Sequence, residues 1–103
     1  MNSERLKMLE EFVAEDPIDP FNRYALALEL VKSDKPRAKE IFDQLLLANP
    51  NYIPAYYQAA LLYIELSLID EGTKIIEIGM AQARNQNDQK AASELRGLLD
   101  EIP

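Results

Sequence analysis

The chain has 103 residues, enough for one domain, and a chain of this size buries only about 65% of the surface that its unfolded form exposes. It carries 18 acidic and 11 basic residues for a net charge of −7, which argues against nucleic acid, where Lys and Arg must neutralise phosphates, and against anionic membrane surfaces. It has no cysteine and no histidine, so disulfides, thiolate metal sites, the commonest zinc ligand and the commonest general base are all missing.

Met1-Asn2-Ser3-Glu4-Arg5 opens a charged amphipathic segment and not an apolar leader. No stretch approaches about 18 uninterrupted apolar residues. Together these set the expectation of a soluble cytoplasmic protein. Prolines 17, 20, 36, 50 and 54 fall between periodic segments, and the periodicity is helical throughout.

Six helices are predicted. The first spans about residues 3–14, with Leu6, Leu9 and Val13 on one face and Phe12 beside them. A break at Asp16-Pro17-Ile18-Asp19 follows. Asp19 then caps a second helix over about 20–32, with Pro20 at its first position, where a missing N–H costs nothing. Asp34 caps the third, about 35–48, which carries Ala38, Ile41, Phe42 and Leu45 at i, i+3, i+4 and i+7. The fourth covers about 53–66 and is apolar nearly all round, leaving only Gln58 and Glu65 strongly polar. Such a helix is expected to be buried all round.

Ser67 is the expected cap of the fifth helix, with Asp70 in the capping-box place. Its buried stripe is Gly72, Ile75, Ile76, Gly79, Met80 and Ala83. A glycine costs about 1 kcal/mol against alanine inside a helix, so Gly72 and Gly79 on that stripe imply a need for space. The sixth begins near Asn87 or Asp88 and aligns Ala91, Leu95, Leu98 and Ile102. Short loops make consecutive helices antiparallel neighbours. The fold class is therefore all-α, an antiparallel array of helical hairpins.

The array repeats. Leu26, Ala27 and Leu30 match Ala59, Ala60 and Tyr63 at an offset of 33. Ala38, Phe42 and Leu45 match Gly72, Ile76 and Gly79 at an offset of 34. Leu9, Phe12 and Pro17 match Phe42, Leu45 and Pro50 at 33. The one-residue difference fits a shorter turn around Ser33-Asp34.

A two-helix unit of this period resembles the tetratricopeptide repeat (TPR) family, in a short two-repeat, bacterial-type form with capping helices. Tyr56, Ala59, Ala60, Tyr63, Gly72, Ile76 and Gly79 carry the resemblance in one repeat; Leu26, Ala27, Leu30, Ala38, Phe42 and Pro50 carry it in the other. Leu45 departs from it by replacing a small residue, and Arg84 stands where the closing proline belongs. The resemblance implies one TPR-like α-α superhelical domain over 1–103. Its parts are a half-repeat helix at 3–17, repeats at 20–50 and 53–84, and a capping helix at 88–102.

No constellation for catalysis stands out. The serines have no histidine to activate them. Glu10-Glu11, Glu15-Asp16 and Asp70-Glu71 are adjacent carboxylates, but neighbours on a helix point about 100° apart. Asp16-Pro17-Ile18-Asp19 lacks the ligand pattern of a calcium loop. The expectation is no enzyme, no catalytic residue, no cofactor and no metal; a metal-dependent hydrolase on surface carboxylates would be the route to one.

In the family the first helix of each repeat lines a concave, peptide-holding groove. The resemblance puts Phe21, Tyr24, Leu28, Val31 and Lys32 on that lining from one repeat, and Tyr57, Leu61, Ile64 and Glu65 from the next. Some members clamp a chaperone's C-terminal carboxylate with lysines and asparagines there. The matching places hold Tyr24, Leu28 and Leu61, so that clamp is absent. The implied function is a protein–protein interaction scaffold that binds a protein, peptide or partner helix in an apolar groove. The alternative is a structural homodimer using the same surface.

Overall fold

The structure is a computed structural model and describes residues 3–103. Met1 and Asn2, the start of the charged N-terminal run, lie outside the described residues. Six helices account for the fold: α1 (Ser3–Glu15), α2 (Pro20–Val31), α3 (Lys35–Ala48), α4 (Pro54–Glu65), α5 (Ile69–Asn85) and α6 (Gln89–Asp100). No strand occurs among the described residues. The chain divides into two compact units, Met1–Asn49 and Pro50–Pro103.

In the first unit, α2 packs against α1 on one side and α3 on the other. Asp19 accepts from Phe21 N at 3.0 Å and starts α2 with Pro20 in its first turn. Asp34 accepts from Arg37 N at 3.2 Å and starts α3. Each carboxylate satisfies an N–H that the helix itself leaves without a partner. Leu9 of α1, Leu26, Ala27 and Leu30 of α2, and Ala38, Phe42 and Leu45 of α3 are buried. Leu45, the large residue at a small-residue place, is fully buried.

In the second unit, α5 packs on both α4 and α6, and α4 also touches α6. Gly79 marks the tightest approach. A Cβ built there would lie 2.7 Å from Tyr56 Cβ, 2.8 Å from Tyr56 Cγ and 3.0 Å from Leu95 Cδ1, so α4, α5 and α6 converge where only a hydrogen fits. Gly72 is looser, with 3.3 Å to Ile64 Cγ1 as the shortest such distance. The need for space is real at Gly79 and slight at Gly72. The Tyr56 hydroxyl donates to the Pro50 carbonyl, and Gln86 Nε2 donates to Asn51 O at 3.0 Å. These bonds tie the segment before α4 to the packed helices.

Two expectations need correcting. Ser67 does not cap α5. Leu68 takes the N-cap place and no side chain caps that end. Ser67 instead adopts φ 64, while Leu68 N donates to Tyr63 O at 2.9 Å and Ser67 N to Ile64 O at 3.0 Å. That pair of bonds is the Schellman closure of α4, which requires a left-handed residue at Ser67's place. The backbone closure occupies the residue that the capping box needed. α5 ends the same way. Asn87 has φ 57, Asp88 N donates to Ala83 O at 2.8 Å and Asn87 N to Arg84 O at 3.1 Å. Asp88 then caps α6 by accepting from Ala91 N at 3.0 Å.

The second correction concerns α4. It is not buried all round. Ala55, Tyr56, Ala59, Ala60, Leu62 and Tyr63 are buried, but Tyr57, Leu61 and Ile64 are only half-buried.

Candidate functional site

Asp19 and Pro20 set where α2 begins, and thereby which of its residues turn outward. Phe21, Tyr24, Leu28 and Val31 fall at i, i+3, i+7 and i+10, a single stripe. Phe21 is 58% exposed; Tyr24, Leu28 and Val31 are half-buried. Partial burial raises the pKa of the Tyr24 phenol, because desolvation disfavours its ionised form. Around the start of α2, Asn22 Nδ2 donates to Phe12 O at 3.3 Å and the Arg23 guanidinium donates to the Pro17 carbonyl.

Lys32, placed on the lining by the family resemblance, is the exposed C-cap of α2. Its ammonium sits 3.3 Å from Glu29 Oε1, and Arg5 Nε donates to the same oxygen at 2.9 Å. Glu29 is buried, at 6% exposure. Its pKa is lowered, first by the hydrogen bond from Arg5, with Lys32 adding to the effect against an opposing desolvation. Glu29 and Arg5 were missed by sequence reasoning. The Glu29–Lys32 spacing of i, i+3 was visible. The Arg5 contact was not, since it depends on α1 packing against α2.

On α4, Tyr57, Leu61 and Ile64 fall at i, i+4 and i+7 and are half-buried, with Glu65 exposed beside them. Ala59, Ala60, Leu62 and Tyr63 of the same helix are buried. Ile64 is drawn partly inward toward Gly72 of α5. The nine lining residues thus divide between α2 with its C-cap, in one unit, and α4, in the other.

Among the described residues no three carboxylates gather where a metal ion would fit, and no buried side-chain nitrogen or oxygen lacks a partner. Glu10 is paired with Arg37 at 2.6 Å. The α2 and α4 faces carry partly buried aromatic and aliphatic side chains, with Lys32 and Glu65 exposed at their ends. No described helix is long and apolar enough to cross a membrane.

No family model and no curated protein sequence matches the chain. Solved structures do match, among them two of a tetratricopeptide repeat domain protein from Salinibacter ruber. The crystal structure is 36% identical, with a TM-score of 0.75, over 79% of this chain and 92% of that one. The solution NMR structure is 39% identical, with a TM-score of 0.77, over 82% of this chain and 86% of that one.

Proposed function

The chain belongs to the tetratricopeptide repeat family, and on that premise we propose that it binds a partner helix or an extended peptide on the apolar faces of α2 and α4. Domains of this family act in general as protein–protein interaction scaffolds and not as enzymes. In this reading α2–α3 and α4–α5 are the two repeats, α1 is the second half of a degenerate one, and α6 is the closing helix.

One observation carries the proposal. The first helix of each hairpin keeps a continuous apolar stripe that its own unit leaves partly open: Phe21, Tyr24, Leu28 and Val31 on α2, and Tyr57, Leu61 and Ile64 on α4. Aromatic side chains on such a stripe suit binding hot spots, because they bury much area for little lost entropy. The net charge of −7 favours an apolar or weakly basic partner segment over an acidic one.

The test is the double substitution Tyr57→Asp and Leu61→Asp, with Tyr24→Asp and Leu28→Asp as its counterpart on α2. Each pair is expected to abolish partner capture from native cell extract while the helical circular dichroism signal is retained. Unfolding of both pairs would make these residues core and sink the proposal. Full retention of capture by the folded variants would sink it as well.

A further inference from the structure

The first and last helices are nearly equal in length, 13 residues in α1 and 12 in α6, but they are attached in opposite ways. α6 buries Leu95 and Leu98 and packs on both α4 and α5. The Arg96–Asp100 pair, 3.5 Å apart, joins residues of α6 itself. α1 packs on α2, and Leu9 is the one residue of that helix that is buried. Leu6 and Val13 beside it are half-buried.

Polar contacts supply much of the remaining attachment of α1. Arg5 Nε donates to Glu29 Oε1 of α2 at 2.9 Å. Arg37 of α3 donates to Glu10 Oε2 at 2.6 Å. Asn22 Nδ2 of α2 donates to Phe12 O at 3.3 Å. Arg5, Glu10 and Phe12 are spread from the first turn of α1 to its last. Asn22 and Glu29 lie seven apart, on one side of α2, so the side that meets α1 presents an amide and a carboxylate to it.

These contacts are open to water. The side chain of Arg5 is 60% exposed, that of Arg37 41% and that of Glu10 40%, and ion pairs in such places are individually weak and screened by salt. A helix as short as α1 is marginal in water by itself, so it unfolds once it leaves α2. The packing of α2 on α3 does not depend on it, since Ala38, Phe42 and Leu45 of α3 are fully buried and α1 packs on α2. From this asymmetry we infer that α1 is a releasable latch. It opens as one unit ahead of the other helices, and its ion pairs to α2 and α3 set how often. Opening hydrates Glu29 and bares the Asn22 side of α2, so ionic strength works the latch. That side of α2 is distinct from its Phe21, Tyr24, Leu28 and Val31 stripe, and the latch stands whether or not the stripe holds a partner.

Amide hydrogen exchange on the full chain, read residue by residue by NMR at about pH 7, tests this. The amides from Lys7 to Asp16, beyond the first turn that lacks helical bonds, are expected to share one protection level. That level should lie at least about tenfold below the most protected amides of α3, with α6 well above α1. Glu10→Gln and Glu29→Gln, made separately, should each lower the whole α1 block together by about threefold or more while α6 is unchanged. Glu11→Gln, at an exposed neighbouring position, should leave the block where it was. Raising NaCl from about 0.1 M to about 0.5 M should act on α1 in the same direction as the two pair-breaking variants. Protection that climbs steadily from Lys7 to Asp16 would mean fraying from the end and overturns the latch. So would α1 protection equal to that of α3, or an α1 block indifferent to Glu10→Gln, Glu29→Gln and salt.

Discussion

At the turn between α2 and α3, Asp34 accepts from Arg37 N at 3.2 Å, and no residue there is left-handed. At the turn between α4 and α5, no side chain caps the second helix and Ser67 sits at φ 64. The helices differ in the same sense. α3 carries Ala38 and Leu45 where α5 carries Gly72 and Gly79. Ion pairs also cross the first unit, Arg5–Glu29 and Arg37–Glu10. The first hairpin is therefore closed by polar side chains, and the second by backbone conformation and close approach. One helix-pair plan tolerates both solutions, because what it requires is the antiparallel packing and not a particular device at the turn.

The sharpest break in that comparison is Gly79→Ala. The new methyl would meet the stem of Tyr56 at 2.7 and 2.8 Å. That stem belongs to a buried ring whose hydroxyl is held by Pro50, so it has little room to move. Overpacking of this kind costs about 1–3 kcal/mol, and we expect a net loss even though alanine is the better helix former by about 1 kcal/mol. Gly72→Ala meets the half-buried Ile64 at 3.3 Å, where a small shift suffices. It should stay within about 1 kcal/mol of the parent protein. Urea unfolding of the two variants decides it, and equal losses would erase the distinction between the two glycines.

A smaller effect should separate the turns. Asp34→Ala removes a cap and is expected to lose about 1 kcal/mol. Ser67→Gly relieves a left-handed residue of its Cβ and is expected to gain up to about 1 kcal/mol. Opposite signs in thermal or urea unfolding would sustain the contrast of side-chain closure with backbone closure. A loss at both positions would mean that Ser67 contributes through its hydroxyl.

Much of this was legible in the residues. Helical periodicity located all six helices, and Asp19 and Asp34 announced their caps, because those signals are local. Ser67 misled for a physical reason. Serine is a common cap and an uncommon left-handed residue, so its sequence favoured the role that the Schellman closure displaced. Tyr24, Leu28 and Val31 could be read as a stripe of α2 from their spacing, whereas the α4 lining came only from the family resemblance. How far each is exposed could not be read, since Tyr57 and Leu61 sit on a helix that is apolar nearly all round. Glu29 lay hidden between Leu28 and Leu30 as an apparent interruption of an apolar run. Its partner Arg5 is 24 positions away, and only the packing of α1 on α2 brings them together.

The smallest expected effect bears on the polar side of the comparison. Arg5 and Lys32 hold the Glu29 pKa below the ordinary 4.5. The carboxylate therefore binds its proton less readily in the folded chain than in the unfolded one. Its contribution is complete above the ordinary value and is lost as pH falls below 4.5 through the lowered folded-state value. Both cations are largely exposed, so solvent and salt screen the pairs and the effect is modest. Urea midpoints compared at about pH 7 and about pH 3 should fall less in Glu29→Gln than in the parent protein, and the difference between the two should shrink in high salt. If the pH dependence is unchanged in Glu29→Gln, the acid sensitivity lies with other carboxylates, and the first unit is held by its caps and apolar packing and not by the Glu29 network.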